Sequence, residues 1–190
     1  MARARRAAVD PDDDQAGPPA DPEAVARQIC LQLLTAAPRT RAQLASALAR
    51  RGVPQEAADA VLERFADVQL IDDALFARAW VDSRHHGRGL ARRALAAELR
   101  QRGVATQDIQ SAVSRLDPEQ EQATARALVE RRLEAMRGLP APVRIRRLTG
   151  MLARKGYPAG LSYRVVRDAL AGQVPDELAA EPSFDEIPDD

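Results

Sequence analysis

A chain of 190 residues accommodates one large domain or a row of small ones, and its 3% aromatic content among abundant Ala, Leu and Arg favours helices over sheets. The zero net charge hides a division: residues 1–21 hold three Arg and five Asp, and residues 171–190 hold seven acids and no base. Residues 22–170 are left with 25 basic and 16 acidic groups. Such a body attracts polyanions or acidic protein surfaces, and with no apolar run of about 18 residues and no hydrophobic segment near Met1 the chain is expected neither to span a membrane nor to be exported.

The expectation is an all-α, soluble, cytoplasmic protein. Residues 1–21 place Pro11, Gly17, Pro18 and Pro19 among aspartates with no apolar period, which predicts a disordered arm. From Pro22 a helical pattern runs through Val25, Ile29, Leu33 and Leu34 and stops at Pro38. Cys30 lies within it; a lone cysteine without Cys or His neighbours forms neither an internal disulfide nor a metal site, and is read as a small buried apolar residue. Thr40 caps a second helix carrying Leu44 and Leu48, which Gly52 closes with a left-handed cap. Pro54 suits the first turn of a third helix whose apolar face is Ala58, Val61, Leu62 and Phe65.

This grammar repeats. Aligning Gly52, Gly103 and Gly156 brings LARRGV, LRQRGV and LARKGY into register, with leucines four and eight residues before each glycine: Leu48 and Leu44, Leu99 and Leu95, Leu152 and Leu148. Apolar pairs follow downstream, as Leu62 with Phe65, Val113 with Leu116 and Val166 with Leu170. A helix, a tight glycine cap and another helix require this spacing. Three tandem three-helix repeats are therefore expected over residues 22–68, 69–116 and 117–172, forming an elongated curved body, with a disordered acidic tail over 173–190.

The middle repeat holds the residues with the most chemical promise. Asp72 and Asp73 are adjacent, so on a helix they do not face one another, and no third ligand stands at metal spacing. They are read as a cap and as favourable charge at the helix dipole. Phe76, Trp80 and Val81 share one helical face and are assigned to the core. His85 and His86 are placed in a loop, as a solvated turn or an anion contact. HGRG lacks the strand and the Lys-Ser or Lys-Thr of a phosphate loop, so it is read as a turn opening the next helix.

That next helix, from about Arg88 to Arg102, sets a core stripe of Ala91, Leu95 and Leu99 beside an arc of Arg92, Arg93 and Arg100, with Arg84 and Arg88 at its entrance. In the third repeat, a long helix passes through Leu128 and Leu133 until Gly138. VRIRRLTGMLARKG then turns Ile145, Leu148 and Leu152 inward and Arg146, Arg147 and Arg154 outward. Arg84, Arg88, Arg92, Arg93 and Arg100, with Arg144, Arg146, Arg147, Arg154 and Lys155, are the candidate anion-facing or partner-facing surface.

The run IDDALFARAWVDSR, followed by a basic segment and the helix end E-L-R-Q-R-G, resembles the signature of the RecX regulatory proteins. Ile71, Asp72, Asp73, Phe76, Ala77, Trp80, Val81 and Arg84 carry the resemblance, supported by Leu95, Glu98, Leu99 and Gly103. It extends over residues 22–171 and is silent about both tails. It implies a non-enzymatic regulator that binds the RecA filament on DNA and inhibits its ATPase, co-protease and strand-exchange activities, in recombination, DNA repair and the SOS response. No cofactor is implied, and a monomer is expected. The competing reading is a stand-alone, nonspecific DNA-binding protein of helix-turn-helix-like units. The third-helix candidates PQEAADAVLERF and ATQDIQSAVSRL are acidic or neutral where base-reading residues would stand, which argues against sequence-specific readout. No nucleophile, base and orienting group can be assembled into an enzyme site.

Overall fold

The computed structural model describes residues 21–172, which contain nine α-helices and no strand. The two expected disordered arms fall outside the described residues, Asp21 excepted. The chain divides into two compact units, one up to Asp72 and one from Asp73 onward.

The first unit holds α1 (Pro22–Ala36), α2 (Arg41–Arg50) and α3 (Gln55–Asp67). Asp21 caps α1 by accepting the Glu23 amide at 3.0 Å, and Pro22 occupies the first turn, where its missing N–H costs nothing. The buried stripe of α1 is Ala26 and Cys30, whereas Ile29, Leu33 and Leu34 pack partly buried beside it and Val25 is exposed. The expected stripe is thus rotated. Because α1 packs against both α2 and α3, small side chains occupy the line of closest approach and the larger ones flank it. Burial pushes the Cys30 thiol up, against the opposing charge of Arg51, and the thiol is free. Thr40 and Gln43 form a reciprocal capping box at α2, each side chain accepting the other's backbone N–H at 3.2 Å. Leu44, Leu48, Ala58, Val61, Leu62, Phe65 and Ile71 complete this core.

The second unit holds two further modules: α4 (Asp73–Arg88), α5 (Arg92–Gln101) and α6 (Thr106–Ser114), then α7 (Pro118–Glu134), α8 (Ala141–Arg154) and α9 (Ala159–Ala171). In all three modules the third helix packs on both of the others and the first meets the second. The aligned glycines share one backbone conformation, with φ of 73° at Gly52, 76° at Gly103 and 88° at Gly156. The left-handed cap bonds are also shared: Val53, Val104 and Tyr157 donate their amides to Leu48, Leu99 and Leu152 at 3.2, 3.2 and 3.1 Å.

The central histidines are not in a loop. Both lie in the last turns of α4, and His85 is only 1% exposed. The two glycines of HGRG suggest an earlier end to the helix, but Gly87 is helical and only Gly89, with φ of 61°, leaves it. Leu128 of α7 covers Gly89 so closely that a Cβ there would lie 2.8 Å from its Cδ1. Arg84 and Arg88 consequently belong to α4, and α5 begins at Arg92 rather than Arg88.

The second and third modules are joined by polar contacts around residues 85–94. The Ala91 amide donates to the Lys155 carbonyl at 2.9 Å, and the Tyr157 hydroxyl donates to the Gly89 carbonyl at 3.1 Å. His85 bonds the Leu90 carbonyl through Nδ1 at 2.9 Å and meets the Thr124 hydroxyl through Nε2 at 3.0 Å. The Arg92 amide donates to Glu121 at 2.9 Å, while its guanidinium donates to the Leu116 carbonyl. Ala91 is itself part of the apolar cluster formed by Leu128, Leu148, Leu152 and Tyr157.

Burial, reinforced by the Glu121 carboxylate, pushes the Tyr157 phenol up to about 12. A phenol that is harder to ionise in the fold than in the open chain contributes stability below its ordinary pKa near 10, and that contribution is lost as pH rises from about 10 to 12. Ultraviolet titration of the tyrosines is expected to show one step at about pH 12 that Tyr157→Phe removes. A step unchanged in that variant would refute the assignment.

Candidate anion-binding interface

The third module concentrates positive charge by helix phasing. In α7, Ala125, Leu128, Val129 and Leu133 are buried, which leaves Arg131 and Arg132 exposed. In α8, Leu148 and Leu152 are fully buried, which turns Arg146, Arg147 and Arg154 to solvent. The two faces line one trough of about 790 Å³, with Met136, Gly150 and Met151 among its apolar lining. Arg131, Arg132, Arg146, Arg147, Arg154 and Lys155 supply its charge, and no acidic residue lines it. A second hollow continues it past Lys155 and Arg131 to Arg88 and His86 at the end of α4.

Lys155 sits where the two parts meet. Its ammonium donates to the Arg88 carbonyl, and its pKa is held below the ordinary lysine value by burial first and then by the charges of Arg131 and Arg88. Several guanidiniums in one concave surface focus the field and suit phosphate or carboxylate oxygens, which the planar N–H fork binds in pairs.

The candidate cations of the sequence do not form one surface. Arg146, Arg147, Arg154 and Lys155 line the trough, and Arg88 borders its extension. Arg92 is engaged between modules, its Nε 3.6 Å from the buried Glu121. Arg84 belongs to a cluster of its own: its guanidinium lies 4.1 Å from the Trp80 ring centre and that of Arg102 lies 3.7 Å away, while Glu98 accepts the indole N–H at 2.8 Å and faces Arg84 at 3.8 Å. Trp80, stacked on Phe76 with ring centres 5.7 Å apart, is half-buried rather than a full core residue. Arg93 and Arg100 are exposed on α5 and line neither part of the trough, and Arg144 is half-buried outside it.

Arg131 and Arg132 are the site residues that sequence reasoning missed. Their signal was present, since a helix burying Leu128 and Leu133 must expose the doublet between them, but the pairing of α7 with α8 is a tertiary fact. Among the described residues, no group of three or more His, Cys, Asp or Glu converges in a metal-binding arrangement, and no helix is long and apolar enough to cross a membrane.

Tandem three-helix modules, their caps repeated and an acid-free cationic trough in the third, define a helical-repeat protein with a strongly cationic concave surface. Models of the first, second and third three-helix domains of RecX match residues 26–65, 72–113 and 119–166, and the chain belongs to the RecX family of regulatory proteins. It is 63% identical over 167 residues to regulatory protein RecX of Thermobifida fusca, covering 85% of this chain and 90% of that one. Against the Mycolicibacterium smegmatis protein of the same name the identity is 46% over 167 residues, covering 86% and 89%. A crystal structure of a regulatory protein RecX superposes with a TM-score of 0.70 at 26% identity, covering 78% of this chain and 73% of the other. RecX from Lactobacillus salivarius shares the fold with a TM-score of 0.73 at 14% identity, covering 80% and 99%.

Proposed function

We propose that this protein is a non-catalytic regulator that binds the RecA filament on DNA and inhibits its ATPase, co-protease and strand-exchange activities, using the trough of the third module as its main anion contact. The reading is supported by family membership and, among the observations, chiefly by the trough: six cations with no acid between them. Phosphates of the filament's DNA or acidic side chains of its protein satisfy such a surface, and no cofactor is called for. Inhibition is then mechanical, by obstruction of protomer movement and of further assembly.

The test is the DNA-dependent ATPase of RecA in the presence of Arg131→Glu/Arg147→Glu. Both residues are exposed, so the variant is expected to keep its helical circular dichroism and to inhibit about tenfold less well, or worse. Undiminished inhibition by the folded variant removes the trough from the mechanism. Arg92, by contrast, is unsuited to charge reversal, because a carboxylate there would face Glu121 and damage the fold. Stand-alone DNA binding is favoured only in that the trough also suits a phosphodiester backbone. Tight binding to DNA without RecA, together with no effect on the ATPase, would establish that alternative.

A further inference from the structure

Lys155 is the only lysine among the 190 residues, whereas every other basic side chain of the described trough is a guanidinium or the imidazole of His86. Guanidiniums bind anions but stay protonated and do not act as nucleophiles at neutral pH. A single amine therefore stands inside a surface built to concentrate anions. Its geometry is also constrained: the Nζ is held against the Arg88 carbonyl, with Arg131 lining both hollows beside it.

We propose that Lys155 is an acylation site, modified without an enzyme by small acyl phosphates that the arginines of the trough capture. The donor's phosphate is the part recognised, and Arg131, Arg146 and Arg147 supply the fork-like donors for it. The uncharged Lys155 amine then attacks the acyl carbon. A nitrogen–carbon bond forms and the carbon–oxygen bond to phosphate breaks. Phosphate leaves with the electron pair, and the nitrogen gives up one proton to it. No oxidant or reductant enters. Burial and the neighbouring charges of Arg131 and Arg88, which disfavour the ammonium, enlarge the reactive fraction. The product amide keeps one N–H, enough to bond the Arg88 carbonyl, but it removes one of the trough's positive charges. Acylation thus weakens anion binding without opening the contact between modules.

The experiment incubates the full chain with acetyl phosphate and follows acetylation of Lys155 by peptide-mapping mass spectrometry, which separates it from acetylation of the N-terminal amine. Lys155 is expected to react about tenfold faster than the lysine of the free peptide LARKGYPAG, as local concentration by a cationic cleft implies. Inorganic phosphate is expected to slow the reaction in the folded chain, and Arg131→Gln/Arg147→Gln to bring the rate close to that of the peptide. A rate in the folded chain no higher than the peptide's, or one indifferent to that variant, overturns the proposal. Acetyl coenzyme A is the comparison donor: faster modification by it than by acetyl phosphate at equal concentration overturns the choice of donor.

Discussion

Gly156→Ala is expected to destabilise the protein by about 3–5 kcal/mol, enough to threaten folding of the second and third modules altogether. Two costs combine. The residue has φ of 88°, where a side chain strains the backbone, and a Cβ there would lie 2.5 Å from the Ala94 amide nitrogen and 2.7 Å from the Ala94 Cβ. The first obstacle is backbone within α5, which cannot move aside as a flexible side-chain tip can. Gly52→Ala isolates the first cost, because Gly52 has φ of 73° and nothing within 4 Å of the added carbon. Its expected penalty is about 1 kcal/mol. Urea denaturation of the two variants measures the difference directly. Equal losses would show that α5 and the Gly156 turn do not pack as closely as described.

Glu121→Ala is expected to cost about 3 kcal/mol, the second largest effect. Glu121 is 7% exposed, accepts the Arg92 amide at 2.9 Å and faces the Arg92 guanidinium. Removing it strands an amide at the first turn of α5 and a half-buried cation beside the Leu116 carbonyl. Glu121→Gln keeps the acceptor and loses only the charge, so a smaller loss, about 1–2 kcal/mol, is expected of it. The alanine variant should also relieve part of the upward pressure on the Tyr157 phenol and shift its alkaline step to lower pH. If both variants melt like the wild type, the Glu121 contact contributes nothing to holding the modules together.

The repeat was legible because it obeys local rules. A glycine forced to positive φ and leucines one and two helical turns before it are fixed by the chain's own geometry, and they recur wherever the turn recurs. Thr40 and Pro22 were readable for the same reason. Local rules fail where the decisive neighbour is distant. Nothing near Arg92 in sequence reveals that an acid 29 residues later occupies it, so spacing alone grouped it with the candidate anion-facing cations. Nor does the doublet Arg131–Arg132 announce that α8 will set Arg146 and Arg147 opposite it. His85 was misplaced because its two glycine neighbours imitate a loop, when only Gly89 breaks the helix and Leu128 fills the space above it.

The contact of His85 with Thr124 orders the join between the second and third modules. Because the Leu90 carbonyl can only accept, Nδ1 must carry a proton, which leaves Nε2 to face the Thr124 hydroxyl at 3.0 Å. That hydroxyl also lies 2.9 Å from the Gln120 carbonyl. Its single hydrogen can be directed to Nε2 or to the Gln120 carbonyl. The hydroxyl thus acts as a swivel between two acceptors. A polar ring buried between two modules is costly unless partnered, and here it is tied at both nitrogens, to Leu90 of its own module and to Thr124 of the next.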